Sequence, residues 1–151
     1  MTIEVEIMQL KKYTDYALRV LIYAGMNSNQ ELVSIKEISD TFSISQHHLG
    51  KIVFELNKKG FIETFRGRNG GIRLAKAPQD INIGAIVRDL EQGFHLLECF
   101  DRETNQCILS PACKLKHALH EALEAFFSVL DQYTLQDLIV NEDELLALMG
   151  L

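Results

Sequence analysis

Cys99, Cys107 and Cys113 are the residues of this 151-residue chain best suited to chemistry. They are its only cysteines, and they lie within fifteen residues in a C-x7-C-x5-C spacing. A thiolate is a soft metal ligand and a nucleophile, so its surroundings decide what it does. Thiols scattered through a core would be inert filling. Three in one polar stretch, ECFDRETNQCILSPAC, suit a shared ion or cluster. Zinc favours closer C-x2–4-C pairs and a fourth Cys or His, for which His95, His117 and His120 are near. An iron–sulfur cluster accepts wider spacings and takes a fourth ligand from elsewhere. Ser110-Pro111 is a helix-start signal that predicts Cys113 in the first turn of the next helix, where the positive helix end favours its thiolate.

A second set of residues suits nucleic acid. The segment SQHHLGKIVFELNKKG presents Ser45, Gln46, His47 and His48 in one turn, with Lys51 a turn later. The first turn of a recognition helix reaches base edges in the major groove. Ser and Gln hydrogen-bond those edges, and Lys51 suits a phosphate. For His47 and His48 a solvated polar face is an equal alternative. Further on, RGRNGG sets Arg66, Arg68 and Asn69 among Gly67, Gly70 and Gly71, a thin cationic tip suited to a minor groove. No nucleophile–base constellation and no phosphate-cradling G-x-x-x-x-G-K occurs, so no enzymatic activity is expected.

The elements that must position these residues can be read from periodicity and capping. YTDYALRVLIYAGMN carries a helical apolar stripe at Ala17, Leu18, Leu21, Ile22 and Ala24, with Thr14 as its expected cap. Ser34 and Glu37 form an S-x-x-E capping box before SIKEISDTF. Ser45 caps the next helix, which ends on Lys58, Lys59 and Gly60, as helix C-termini favour. FIETF and GIRLA, flanking RGRNGG, predict a β-hairpin wing. Asn82 caps a helix closed by Gly93, and a long helix follows from Cys113 to Tyr133. Leu115, Ala118, Leu119, Ala122, Phe126, Val129, Leu130 and Tyr133 mark one of its faces, and Leu123 and Phe127 a second. A band this wide needs more than one neighbour, so part of it is expected to meet a second copy of the chain. TLQDLI and EDELLAL predict short closing helices.

The fold class expected is therefore mainly α with a small β-hairpin wing. Residues 8–80 would form a winged helix-turn-helix DNA-binding domain, and residues 81–151 a cluster-binding loop with a long C-terminal dimerisation helix. Charge agrees with this division. The net charge of −6 argues against a nucleic-acid partner, but residues 8–78 carry 11 Lys/Arg against 6 Asp/Glu, and residues 81–151 carry 4 against 12. A basic reader joined to an acidic module fits that asymmetry. At 47% hydrophobic, with 8 Phe, the chain has the material for a core. It has no apolar run of membrane-span length, and acids occupy the start where a signal peptide is basic, so a cytoplasmic protein is expected.

Several of these motifs, in this order, resemble the Rrf-type winged-helix regulators. They are MQLKKYTDYALRVLIY, SIS-x-x-HL, RGRNGGIRLA, INIGAIVRDLE, ECFD…C…SPAC and YTLQDL, and they span nearly everything from Met8 onward. The cysteine spacing is more similar to the nitric-oxide-sensing branch than to the iron–sulfur-supply branch. That resemblance implies a homodimeric repressor with one 4Fe–4S cluster per subunit, held by Cys99, Cys107 and Cys113 with a carboxylate from the other subunit's first helix. Asp15 matches that carboxylate; from the residues alone it is a first-turn acid favoured by the helix dipole. The resemblance also places Ser45, His47, His48 and Arg66 at DNA-contact positions and Tyr16 near the DNA backbone. Gly50 stands where the family has a larger residue, and the prefix Met1–Ile7 has no counterpart. The function expected is a nitric-oxide-responsive iron–sulfur repressor on a two-fold double-stranded DNA operator. The alternatives are a sensor of cluster supply or redox state in the same family, with a 2Fe–2S centre, and a zinc-stabilised winged-helix module that binds a protein.

Overall fold

The computed structural model describes residues 9–27 and 31–151. Met8, where the expected reader begins, and the prefix Met1–Ile7 lie outside the described residues. Helix α1, Lys12–Met26, buries Ala17, Val20, Leu21 and Ala24 at helical spacing. Thr14 does not cap it. Lys11 is the cap residue, and no side chain of its own segment closes the turn. Thr14 is fully buried, and its hydroxyl has no partner among the described residues. The closing group comes from far along the chain. Glu91, itself buried, accepts the Lys11 backbone N–H at 2.8 Å, while Lys11 Nζ donates to the Glu91 carbonyl at 2.8 Å.

Helix α2, Ile35–Phe42, starts on the complete Ser34–Glu37 capping box. Ser43, at φ 56°, turns the chain in the left-handed region, and α3, Gln46–Lys58, begins with Ser45 accepting the His48 N–H. Leu49, Ile52, Val53 and Leu56 of α3 are buried against α1 and α2. Strands β1, Ile62–Phe65, and β2, Gly71–Leu74, pair antiparallel with Ile62 opposite Leu74 and Phe65 opposite Gly71. Ile62 and Ile72 turn inward. Val33 bridges Ile72 through two backbone hydrogen bonds, so the wing's root is tied to the segment entering α2.

Helix α4, Ile83–Glu91, is capped by Asn82 and ends with Gln92 and Gly93 both at positive φ. The thiol stretch follows, then α5, Lys114–Leu130. The helix is shorter than expected at both ends, because Ser110-Pro111 opens a separate 3-10 turn and Tyr133 lies beyond the C-terminus. Short helices α6, Leu135–Leu138, and α7, Glu142–Met149, close the chain. The excursion through α4 and α5 is fastened at its neck. Asn82 bridges Thr134, Ile83 N–H donates to Tyr133, Leu135 N–H donates to Ile81, and the Asn82 amide reaches Asp131. One apolar core runs from Ala17 through Ile86 and Val87 to Phe127 and Leu135, so the basic and acidic halves share it.

Gly84 lets α4 and α5 approach. A Cβ there would sit inside the Asp131 carboxylate and 2.9 Å from the Asp131 backbone nitrogen. Across that contact Asp131 takes two hydrogen bonds from the Arg88 guanidinium, which also lies 4.6 Å from the Phe127 ring centre.

Candidate nucleic-acid interface and thiol loop

The helix-turn-helix leaves the first turn of α3 in solvent. Ser45, Gln46, His47, His48 and Lys51 are all exposed, while Leu49 and Ile52, alternating with them, are buried. Ser45 has a second task, since its hydroxyl accepts the His48 N–H at 3.1 Å and fixes the start of the helix. At the wing, Arg66, Arg68 and Asn69 are exposed around the turn, with no salt-bridge partner for either arginine among the described residues. Arg73 belongs to the wing's frame, paired with Glu63 at 2.8 Å and stacked 4.8 Å from the Phe65 ring centre.

The wing's three glycines have three different reasons, and only that of Gly71 lies outside the tip. Gly67, at φ 109° with nothing near its Cβ position, is required by its backbone conformation at the tip. Gly70 is packed against the backbone of Phe65 and Gly67, and a Cβ on Gly71 would meet the Val33 carbonyl at 2.6 Å. Gly70 is thus a steric requirement of the tight wing turn itself, and Gly71 of the Val33–Ile72 bridge.

Asp15 and Tyr16 lie on α1 beside this surface. Both Asp15 oxygens are held by Arg19, at 3.0 and 2.9 Å. The Arg19 guanidinium lies 5.4 Å from the Tyr16 ring centre and 5.8 Å from that of Phe42. The Tyr16 ring is in turn 6.4 Å from that of His48. Asp15 is thus linked through two side chains to the first turn of α3. Sequence reading missed Arg19, although its i,i+4 spacing from Asp15 was a visible signal.

The three thiols are free and differ in setting. Cys99 is buried in the 3-10 turn Glu98–Phe100, although the stretch around it is polar. Cys107 is exposed. Cys113 is the N-cap of α5 instead of a first-turn residue, and its Sγ accepts the Lys116 N–H at 3.4 Å. That is the role an anionic sulfur would fill at a positive helix end. Between Cys99 and α5 lies a hollow of about 370 Å³ lined also by His95, Phe100, Arg102, Lys116 and His120. The loop around it is pegged by its own bonds. Asp101 accepts from Glu103 N–H and the Thr104 hydroxyl, which hold its carboxyl below the usual aspartate range, and Asn105 donates to Ser110.

Among the described residues no three His, Cys, Asp or Glu side chains of the one subunit converge as a ligand set. The donor chemistry nevertheless fits a thiolate-bound centre. Three unpaired sulfurs occupy one loop, one of them already accepts a backbone amide, and the adjoining hollow carries cationic side chains that suit a negatively charged group. Nearby, α5 turns Phe127 inward and leaves Leu115, Phe126, Val129 and the following Tyr133 largely exposed. This part of the wide apolar band is left uncovered within the single subunit. Among the described residues no helix is long and apolar enough to cross a membrane.

Comparison with known proteins places this architecture. The Rrf2 family model, described as an iron-dependent transcriptional regulator, matches residues 10–141. The HTH-type transcriptional regulator NsrR of Oceanobacillus iheyensis is 62% identical over 144 residues, covering 95% of this chain and 98% of that protein. The protein of the same name from Bacillus subtilis is 51% identical over 142 residues, 94% and 97% of the two chains. Among solved structures, the oxidized form of Staphylococcus aureus CymR superposes with a TM-score of 0.71 at 26% identity, over 88% of this chain and 97% of that one. T. potens IscR shares the fold, with a TM-score of 0.70 at 23% identity over 91% and 90%. The mainly α fold with a hairpin wing, the exposed recognition turn and these relatives agree: the chain belongs to the Rrf2 family of transcriptional regulators.

Proposed function

We propose that the chain is a homodimeric, cytoplasmic DNA-binding repressor whose operator affinity is set by an iron–sulfur cluster responsive to nitric oxide. The observation that carries this reading is the Asp15–Arg19–Tyr16–His48 series, which joins a candidate ligand to the base-reading turn of α3. Relatives over half identical across nearly the whole chain carry the name NsrR, and support it. The ligands would be Cys99, Cys107 and Cys113 of one subunit and Asp15 of the partner subunit. With three thiolates and a single carboxylate, a 4Fe–4S cluster supplies one iron more open to small ligands than the others.

This chain's own residues convert ligation into DNA affinity. Arg19 holds both Asp15 oxygens in the single subunit, so any other use of Asp15 frees the guanidinium from one of its anchors. That guanidinium packs on Tyr16 and Phe42, and Tyr16 borders His48, so the change reaches the recognition turn through packed side chains. The uncovered apolar face of α5 supplies the two-fold contact, and two α3 helices would read half-sites about 34–36 Å apart.

The test is anaerobic purification, nitric oxide titration and parallel measurement of operator binding. Coloured protein is expected to bind the operator and to release it as the cluster signal is lost. Apo protein that binds as tightly as holo protein would refute the reading, and the anaerobic spectrum separates a 4Fe–4S from a 2Fe–2S centre.

A further inference from the structure

Gly50 is the one residue of α3 that local physics disfavours. A glycine inside a helix is less stable than alanine there, because its backbone loses more freedom on folding. The usual structural reason, a neighbour too close for a side chain, is missing, since nothing lies within 4 Å of a Cβ built at Gly50. Its φ is not positive either. The fold therefore gains nothing from this glycine.

Beside this bare position the outer face of α3 carries a shallow, open hollow of about 510 Å³, with Gly50 as part of its floor. Gly50 lies one turn beyond Gln46 and His47 and one turn before Phe54, and Lys51 lines the same hollow from the adjoining position. Phe54 is 65% exposed, an unusual position for an aromatic ring with no packing duty, and it forms the far wall. Tyr13 of α1 also lines the hollow, and its hydroxyl is buried without a partner among the described residues. Glu55 lies at the rim, half-buried, where its carboxylate would repel a phosphate. Lys51 and Glu55, of opposite sign, both border the hollow, so its interior carries no net charge to draw in a phosphate, and its mainly apolar surface, on the face that enters the groove, suits a base edge. Among base edges in the major groove, thymine presents a methyl group.

We propose that Gly50 is a specificity-determining residue, opening a recess between His47 and Phe54 that receives the C5-methyl group of a thymine in each half-site. This rests on the reading of α3 as the groove-entering helix. A side chain at position 50, even a methyl, occupies the point on the floor of the recess where the thymine methyl would rest and abolishes the preference, at a gain in helix stability.

The test uses the full-length holo dimer and a duplex that the wild-type protein selects from a random DNA pool. Each thymine of the half-site is replaced in turn by deoxyuridine, which lacks only the methyl group. Wild-type protein is expected to lose about fourfold in affinity per half-site at one such position, the worth of burying one methyl. Gly50→Ala is expected to bind the unmodified duplex more weakly, to be indifferent to that same replacement, and to melt a few degrees higher. A deoxyuridine scan that is flat for the wild type, or identical for the two proteins, overturns the proposal. Failure of the wild-type holo dimer to select any duplex overturns the DNA-reading assignment itself, and this inference with it.

Discussion

Replacing Glu91 by alanine would unfasten the start of α1, and the structure sets the size of the effect. The Glu91 carboxylate is 5% exposed and accepts the Lys11 backbone N–H at 2.8 Å. A hydrogen bond to an ionised group contributes about 1.5–3 kcal/mol. The carboxylate also faces the positive end of α1. Glu91→Ala should therefore destabilise the fold by about 2–3 kcal/mol. Glu91→Gln keeps an acceptor oxygen in place and should cost about 1 kcal/mol, the difference between a charged and a neutral bond. Lys11→Met removes only the more exposed Nζ contact and should cost less than about 1 kcal/mol. Urea unfolding of the reduced apo protein at fixed concentration reads these differences. Hydrogen exchange should show faster exchange at the Lys11 amide in both Glu91 variants. If Glu91→Ala lies within about 0.5 kcal/mol of wild type, or if Gln is as damaging as Ala, the closing role of this carboxylate is wrong.

Further outcomes follow from other contacts. Gly84→Ala should destabilise by about 1–3 kcal/mol, measured by the same unfolding curves, because its Cβ would enter the Asp131 carboxylate between α4 and α5. Asp131 is held below the ordinary aspartate value of 3.8 by its hydrogen bonds to Arg88. Since the folded-state value is the lower one, its contribution is present above the ordinary range and disappears as pH falls through the folded value. Arg88→Met should flatten that acid limb of the stability profile. Lys51→Ala should weaken DNA binding about equally across sequences and shallow the salt dependence by about one unit of log–log slope, read by binding titrations at several salt concentrations.

Much of the reader was legible because its signals are local. The Ser34–Glu37 box, the Ser45 cap and the β-hairpin each depend on residues within a few positions of one another, and each formed as the spacing implied. What escaped was settled at long range. Nothing near Lys11 announces that Glu91, eighty positions away, closes α1. Nor does RGRNGG show that Gly71 yields to the Val33 carbonyl. The thiol loop was legible as a group of free sulfurs but not in its detail. Periodicity does not distinguish a first-turn Cys113 from an N-cap, and burial of Cys99 depends on how the loop folds back on α5. In α5 the two apolar faces were read from spacing, while which of them turns inward was decided by the partners of Phe127: Phe94, Phe126 and the Arg88 guanidinium.

The closed neck at Asn82 and Thr134 has a consequence for how order can be lost. Its hydrogen bonds join the two ends of the excursion that carries the thiols, and Leu135, fully buried, plugs the core just beyond them. A segment between fastened ends can melt alone, as a local unit with its own small opening free energy, while the rest stays folded. The stretch from Gly93 to Cys113 rests mainly on its own side-chain bonds and short turns, so it is the part of the chain best placed to do this. Disorder there would stay confined to one lobe. The chain can thus hold a labile thiol loop within a fold that is not itself labile.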